Sequence, residues 1–195
     1  MSYIRLLRSE EHFDAIFGAE GLASAKEEIL IATANLKMTM IPGLDGVYQS
    51  TARLFRDMLD RGIRIRILCS SVSGDVEKRT GFAGALMDEK LLEEKHFFLY
   101  SLRRNHSKVF VFDKRVGIFS SANLTGAGVG AKAAERRNYE FGAMTDHPVL
   151  VAEMVRHVEK AMEEAQQILT IEDMIAYRKM AAGETEEEGE NNETN

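Results

Sequence analysis

Three short, mainly apolar runs separated by segments of helical periodicity constrain the fold of this chain most strongly. The runs are EILIATANL (28–36), IRIRILCSS (63–71) and FFLYSL (97–102). Each has the length and residue content of a strand that enters a core. Between them, VYQSTARLFRDMLDRG (47–62) and ALMDEKLLEEKH (85–96) carry apolar residues at helical spacing. This alternation of strands and helices predicts an α/β domain.

The rest of the chain continues the same pattern. HSKVFVFDKRVGIFSSAN (106–123) predicts two strands around a turn, and NYEFGAMTD (138–146) predicts one more strand. An amphipathic stripe over 151–169 predicts a long helix, and a capping box in TIED begins a second helix over 170–182. KMTMIPGLDG (37–46), with one proline and two glycines, predicts a loop.

Length and charge predict one domain over residues 1–182 and a disordered acidic tail over residues 183–195. A chain of 195 residues suits a single buried core. The net charge is −6, and the last twelve residues hold six acidic and no basic side chains. Without them, 25 acidic residues remain of 31, against 25 basic ones. The body of the chain is therefore close to neutral, which does not exclude an anionic ligand.

Cysteine content and hydropathy bear on the cellular compartment. Cys69 is the single cysteine and lies in an apolar run, so we interpret it as a small buried residue and expect no internal disulfide. The N-terminal segment is charged throughout, unlike a signal peptide. No run approaches the roughly 18 apolar residues of a membrane span. We expect a cytoplasmic location and no stable membrane association.

Polar residues stand two apart at both outer ends of the predicted hairpin. His106 and Lys108 begin its first strand, and Ser121 and Asn123 end its second. Side chains two apart on a strand share a face. With a turn at residues 113–116, opposed residue numbers sum to 229, which places His106 opposite Asn123 and Lys108 opposite Ser121. A shift of two residues would keep the four groups close together.

These four groups suit the chemistry of a phosphate. The lysine supplies a positive charge and the asparagine amide supplies two N–H donors for phosphate oxygens. An imidazole near neutral pH acts as a nucleophile or as a proton carrier. Charge stabilisation by the lysine and the asparagine replaces the metal ion of many phosphoryl-transfer sites. We therefore predict a site without a metal or another cofactor.

The spacing of these residues resembles a known signature. The chain contains H-x-K, then four residues, D, six further residues and S-S-x-N. This spacing is similar to the HKD motif of the phospholipase D superfamily. The matching residues are His106, Lys108, Asp113, Ser121 and Asn123. Five fixed residues at fixed spacings over 18 positions make this resemblance specific.

Further features also resemble the superfamily, with one departure. The superfamily has Gly-Ser where this chain has Ser120-Ser121. Glu140, in RNYEFG, matches a glutamate that commonly orients the histidine in that superfamily. The resemblance covers residues 25–165 and implies an α-β-α sandwich with a mixed central sheet.

The resemblance also implies a mechanism and an assembly. One histidine attacks phosphorus and forms a phosphohistidine, and a second histidine protonates the leaving oxygen and then activates water. The chain has a single HKD motif, and single-motif members of the superfamily form homodimers. We therefore expect a symmetric homodimer with one shared active site, in which Lys108 and Asn123 of both copies hold the phosphate.

The residues of the motif differ in their expected roles. The catalytic set comprises His106, Lys108, Asn123, Glu140 and Asp113. Within this set we interpret Asp113 as a structural member, because aspartate is common in turns for local hydrogen-bonding reasons. Glu140 is alternatively a surface residue on an edge strand.

The substrate is the least determined property. Compact single-motif members of the superfamily are mostly nucleases, so we expect a DNA or RNA phosphodiesterase. Lys108, Ser121 and Asn123, with Arg103 and Arg104, form the expected substrate-binding set. The Arg136–Arg137 pair also suits a polyanionic backbone, although at least one arginine pair is more simply interpreted as solvated. The alternatives are phospholipase or phosphatidyl-transfer activity on lipids, and a non-catalytic nucleic-acid-binding module.

Overall fold

The computed structural model describes residues 2–42 and 47–182, which form ten strands and five α-helices. In chain order the strands are β1 (Ile4–Arg8), β2 (Glu28–Leu36), β3 (Met40–Pro42), β4 (Tyr48–Ser50), β5 (Arg64–Val72), β6 (Phe97–Ser101), β7 (Val109–Phe112), β8 (Val116–Ser120), β9 (Phe141–Thr145) and β10 (Gln166–Ile168). The helices are α1 (His12–Phe17), α2 (Thr51–Asp60), α3 (Gly81–Asp88), α4 (Pro148–Glu163) and α5 (Ile171–Ala182).

Eight of the strands form one mixed sheet in the order β1-β9-β8-β7-β2-β5-β6-β10. The central strands β2, β5 and β6 are parallel, and every other neighbouring pair in this sheet is antiparallel. The carboxyl ends of β2 and β5 therefore lie at the same edge of the sheet. This arrangement confirms the predicted α/β class and its mixed central sheet.

Helices cover both faces of the sheet, which confirms the α-β-α sandwich. Apolar residues of α1, α2, α3 and α5 pack on one face in the larger core, and those of α4 pack on the other face. The two faces receive alternate residues of each strand, as in β7, where Phe110 enters the larger core and Val111 contacts the α4 side. Cys69 lies in the larger core, and burial raises the pKa of its thiol to about 12.

The α4 side of the sheet is only partly covered. The α4 core includes residues of β2, β5 and β7, whereas part of the same face over β8, β9 and β1 is open. The exposed fractions there are 60% for Leu6, 49% for Phe119 and 61% for Phe141. Leu6 and Phe119 are both paired with Ala143, so they project in the same direction from neighbouring strands. We refer to Ile4, Leu6, Phe119 and Phe141 as the uncovered apolar face.

The long central elements match the sequence predictions, and the edge strands do not. The strand predicted at 28–36 has the bounds of β2, and the strand predicted at 63–71 is displaced by one residue in β5. No strand was predicted for the N-terminal segment or for the residues after α4, where the structure has β1 and β10. Both are edge strands with mostly exposed residues, so they lack an apolar strand pattern.

Helix bounds also differ from the prediction. The helix expected at 85–96 begins earlier, at Gly81, and ends at Asp88. The stripe at 151–169 belongs to a helix only as far as Glu163, because residues 166–168 form β10. The loop expected at 37–46 includes a short strand, because residues 40–42 form β3. Residues 43–46 lie outside the described residues, and so does the tail expected at 183–195. The single-domain assignment stays a prediction.

The hairpin register differs from the predicted one by one residue. Val109 pairs with Phe119 and Phe112 pairs with Val116, so opposed residue numbers sum to 228. Asp113 and Lys114 both adopt positive φ angles, of 52° and 54°, and close the turn in three residues instead of four. The predicted register of 229 is therefore wrong, and the residue opposite Lys108 is Ser120, whose N–H donates to the Lys108 carbonyl (3.0 Å).

Candidate active site

His106 and Lys108 lie just before β7, at the edge of the sheet where β2 ends. Lys108 is only 7% exposed, and its Nζ donates to His106 Nδ1 (3.0 Å) and to the His106 carbonyl (2.8 Å). Burial lowers the pKa of the Lys108 ammonium, and the Glu140 carboxylate partly opposes this effect. The sequence-predicted histidine and lysine are therefore in direct contact, with the carboxylate close enough to act on the lysine.

Ser121 and Glu140 form a second hydrogen-bonded pair at this edge. Ser121 Oγ donates to the Glu140 carboxylate and accepts from the Phe141 N–H (3.1 Å). Asn138 Nδ2 donates to the other oxygen of Glu140 (3.0 Å). Glu140 was expected to orient His106, but in the described residues its carboxylate bonds to Ser121 and Asn138, while His106 Nδ1 accepts from Lys108.

Asn123 is fixed to the end of β2 by its side-chain oxygen. Asn123 Oδ1 accepts from the backbone N–H groups of Ala34 (3.0 Å) and Asn35 (3.1 Å). Because backbone N–H groups only donate, the atom that faces them must be the oxygen. The amide nitrogen is thereby directed away from β2, and it makes no hydrogen bond within the described residues. Its two N–H donors are available to a ligand, as predicted from the sequence.

Two further residues, Thr33 and Asn105, hold the site strands together and were missed in the sequence. Thr33 is fully buried; its Oγ1 accepts from the Leu124 N–H (2.9 Å) and lies 3.3 Å from Asn123 Oδ1. Asn105, which directly precedes His106 in the chain, donates from Nδ2 to the Thr33 carbonyl (3.0 Å). The sequence signal that could have identified these two residues is their position towards the carboxyl end of a predicted parallel strand or just after it. Ligands of open α/β sheets bind at these ends.

The four predicted groups lie at the same edge of the sheet although the predicted register is wrong. A shift of one residue exchanges the two faces of a strand, which would separate Lys108 from Ser121 within a ladder. Ser121 and Asn123, however, follow the end of β8, and His106 precedes β7. These residues are placed by loops that bond to β2 and β9 instead of by cross-strand pairing. Chain connections outside the sheet therefore assemble the site.

Asp113 lies apart from this cluster, whereas Arg103 and Arg104 lie in the turn that precedes His106. Asp113 accepts from the backbone N–H groups of Lys26, Glu27 and Glu28, at the opposite end of β2 from Asn123. These bonds join the hairpin turn to the start of β2 and support the structural interpretation of Asp113, whose place in the catalytic set stays a prediction. Arg103 and Arg104 are exposed and do not line the pocket that contains His106 and Lys108.

No group of three or more His, Cys, Asp or Glu side chains with a metal-binding arrangement occurs within residues 2–42 and 47–182. Lys108 and the Asn123 amide provide hydrogen-bond donors, which suit an anion rather than a cation. The prediction that the site works without a metal or a cofactor stays a prediction.

Comparisons with known proteins give the class of the protein. A sequence model described as "Cardiolipin synthase, PLD-like domain" matches residues 19–164. The chain therefore belongs to this PLD-like family of the phospholipase D superfamily. No curated protein sequence matches the chain.

Solved structures share the fold at low sequence identity. NucT from Helicobacter pylori is 19% identical with a TM-score of 0.59, over 86% of this chain and 100% of NucT. Nuc from Salmonella typhimurium, a phospholipase D family member, is 18% identical with a TM-score of 0.56, over 87% of this chain and 100% of Nuc. Phosphatidylserine synthase of Haemophilus influenzae is 13% identical with a TM-score of 0.55, over 93% of this chain and 44% of the synthase.

Proposed function

We propose that this protein is a metal-independent phosphodiesterase that hydrolyses DNA or RNA at a site shared by two copies of the chain. The observation that carries the proposal is the cluster of His106, Lys108, Ser121 and Asn123 at one edge of the sheet. The buried ammonium and the free amide donors suit a phosphate, and an exposed imidazole lies beside them.

In the proposed reaction, His106 Nε2 attacks phosphorus and the bond from phosphorus to the leaving oxygen breaks. The His106 of the second copy gives its proton to the leaving oxygen. Water then attacks the phosphohistidine, its proton passes to the second copy's histidine, and the P–N bond breaks. Lys108 and Asn123 stabilise the charge on the non-bridging phosphate oxygens.

Substrate binding has a defined consequence for the His106 proton. Lys108 donates to Nδ1, so in the neutral ring the proton is on Nε2, where it blocks nucleophilic attack. A bound phosphate attracts the Lys108 ammonium and so releases Nδ1. The proton then moves to Nδ1, and Glu140, whose carboxylate acts electrostatically on Lys108, is the proposed acceptor for it in place of its bond to Ser121 or Asn138. In this state Glu140 takes the orienting role that the resemblance implies.

The uncovered apolar face supports the homodimer. It adjoins the site, since Leu6, Phe119 and Phe141 line the same pocket as His106 and Lys108. Solvent exposure of neighbouring aromatic and aliphatic side chains is unfavourable by roughly 25 cal/mol for each Å² of apolar surface. A second copy that covers this face also brings the second histidine to the pocket.

A group of basic residues beside Asn123 supports a nucleic acid substrate. Lys132 packs against Gly126, and the backbone of Asn138 bonds to Ala127, so residues 132–138 follow the loop after Asn123. We call Lys132, Arg136 and Arg137, all exposed, the basic rim. Such residues bind phosphates on either side of the scissile one. NucT and Nuc, the latter a phospholipase D family member, are both matched over their whole length, as expected for compact single-motif members of the superfamily.

The test is a cleavage assay in EDTA with single- and double-stranded DNA and RNA and with a chromogenic phosphodiester. We expect activity in the wild-type protein and a loss of at least 1000-fold in His106→Ala, because removal of a nucleophile removes most of the catalysis. Activity that requires a divalent metal contradicts the mechanism, and binding without turnover favours the non-catalytic module.

His157→Ala is the matched control. His157 lines the same pocket and bonds through Nε2 to Ser107 Oγ (2.9 Å). If the second histidine comes from a second copy, His157→Ala retains activity. A loss equal to that of His106→Ala instead identifies His157 as the proton donor within one chain.

Subunit mixing tests the shared site directly. When wild-type protein is exchanged with His106→Ala protein, a site that needs both histidines gives activity in proportion to the square of the wild-type fraction. Independent sites give a linear dependence, which contradicts the homodimer proposal.

Lipid phosphatidyl transfer is the second candidate, because the matched family is described as cardiolipin synthase and the pocket beside His106 has apolar walls. Phospholipid vesicles in the same assay separate it from the nuclease. None of the described helices has the length and apolar content to cross a membrane. The expected cytoplasmic location stays a prediction.

A further inference from the structure

The serine that replaces the superfamily's glycine has a buried partner. Ser120 Oγ lies 2.7 Å from Nε2 of His12, which is fully buried and 108 positions earlier in the chain. Ser120 Oγ also accepts from the Ala122 N–H (2.8 Å). A glycine at position 120 makes neither contact. The departure from the motif therefore creates a connection between the N-terminal segment and the loop that carries Ser121 and Asn123.

The directions of these hydrogen bonds follow from the chemistry of the groups. His12 Nδ1 lies 2.8 Å from the Arg8 carbonyl, which only accepts, so Nδ1 carries the proton. In the neutral ring Nε2 is then an acceptor, and Ser120 Oγ donates to it. The hydroxyl oxygen still accepts from Ala122. Three hydrogen bonds thus run in one direction, from the Ala122 N–H to the Arg8 carbonyl.

The same N-terminal segment also holds Glu140. Ser9 Oγ accepts from the Glu140 N–H (2.7 Å) and lies 3.2 Å from the Glu140 carbonyl, to which it donates. We call residues 8–12 the N-terminal brace. It contacts the end of β8 through His12 and the start of β9 through Ser9. The two strands that it joins are the ones that carry the Ser121–Glu140 pair.

His12 does not itself reach a substrate. Both ring nitrogens are occupied, by the Arg8 carbonyl and by Ser120, and the residue has no exposed surface. It is therefore not the second histidine of the phosphoryl-transfer reaction. A histidine that only fills the core is the simpler alternative, but its polar contact to Ser120 is directed at the residue next to Ser121.

We propose that His12 and Ser120 are positioning residues that fix the loop of Ser121 and Asn123 for the reaction. The catalytic part of this inference rests on the proposed phosphodiesterase function. Without the His12–Ser120 bond, the loop keeps its backbone attachments, but the Ser120 hydroxyl that accepts from Ala122 is no longer held by the N-terminal brace. Ala122 lies between the two residues proposed to bind the phosphate, Ser121 and Asn123. Displacement of a binding group by about 1 Å costs up to about 100-fold in rate.

The test is a double-mutant cycle in the chromogenic phosphodiester assay. We expect His12→Gln and Ser120→Ala each to lower kcat by about 10- to 100-fold with KM changed by less than about 3-fold. The double variant should be no slower than the worse single variant, because both remove the same connection. The pH limits of activity should stay in place, since neither residue exchanges protons with the substrate. Additive losses, or losses in KM alone, overturn the proposal.

Thr145→Ala is the matched control for loss of a buried polar contact. Thr145 Oγ1 donates to the Tyr3 carbonyl (2.6 Å) and so also joins the N-terminal strand to the sheet, at the end of β9 away from Glu140. The Thr145→Ala variant should have a lower free energy of unfolding and an unchanged kcat. An equal fall of kcat in Thr145→Ala shows that the effect of His12 is only structural.

A second measurement is independent of catalysis. NMR of the histidine ring nitrogens should show His12 with its proton on Nδ1, and Ser120→Ala should shift the His12 Nε2 and Ala122 amide signals. If the wild-type protein cleaves no phosphodiester, the proposed function fails while this connection is still tested. If the wild-type protein is active and the ring proton is on Nε2, the connection fails and the proposed function stands.

Discussion

Lys108 Nζ lies 3.0 Å from Nδ1 of His106, so the residue that we propose to hold the phosphate also occupies a ring nitrogen of the proposed nucleophile. The ammonium is buried, and both its hydrogen bonds go to His106. A phosphate that enters the site competes with the imidazole for this lysine. In the proposed mechanism, the proton of neutral His106 therefore lies on a different ring nitrogen before and after substrate binding.

The pKa of Lys108 predicts the alkaline limit of activity. Burial lowers this pKa from the usual 10.5, and Glu140 raises it in part. Because only the charged lysine attracts the phosphate, kcat/KM should fall with rising pH at a midpoint below 10.5. Glu140→Gln removes the attraction for the ammonium, so the midpoint should move to lower pH. The measurement is the pH profile of kcat/KM for the wild-type protein and Glu140→Gln, with Glu135→Gln as the control. A midpoint of Glu140→Gln at higher pH than that of the wild-type protein contradicts the assignment of the alkaline limit to Lys108.

Asp113 should affect stability and not catalysis. Its carboxylate accepts from three backbone N–H groups at the start of β2, far from the phosphate site. Asp113→Ala should lower the free energy of unfolding by about 1–3 kcal/mol more than Lys114→Ala does. Lys114 is the matched control because it has nearly the same positive φ angle, so both variants carry the same backbone strain. Chemical denaturation measures the difference, and a selective loss of kcat in Asp113→Ala would support its place in the catalytic set.

The uncovered apolar face should form the dimer contact. Phe119→Asp places a charge on this face, and we expect the variant to sediment as a folded monomer with little activity. Leu169→Asp changes a side chain that is similarly exposed (62%) after β10, at the other edge of the sheet, and should leave the dimer intact. Sedimentation velocity and circular dichroism check both variants. A dimeric Phe119→Asp protein places the contact elsewhere.

The basic rim should affect long substrates selectively. Loss of the charges of Lys132 and Arg136 removes up to two phosphate contacts, so the slope of log K against log salt for an oligonucleotide should decrease by about 1–2. Cleavage of a chromogenic phosphodiester should not change, because it has no flanking phosphates. Alanine variants of Arg103 and Arg104 are the comparison pair. If the Arg103 and Arg104 variants change the slope and the basic-rim variants do not, the nucleic acid contacts Arg103 and Arg104 instead of the basic rim.

Sequence reasoning succeeded where a signal is local. The central strand β2 and the mixed α/β architecture follow from apolar runs whose length and periodicity reflect burial. A motif of fixed spacing predicted His106, Lys108, Ser121 and Asn123 as site residues, and their catalytic and binding roles stay predictions. The structural role of Asp113 follows from the turn preference of aspartate. The family match agrees with this interpretation.

Only the tertiary structure decided how those residues meet. The hairpin register depends on two positive φ angles, and no residue preference in DKRV distinguishes a three-residue turn from a four-residue one. Thr33 and His12 act on residues about 90 and 108 positions away, through contacts that leave no periodic pattern. The motif by itself determined which groups we propose to bind the phosphate. Their geometry was decided by long-range hydrogen bonds from β2, β9 and the N-terminal brace, because the site residues lie beyond the strand ends, where pairing no longer fixes a side chain.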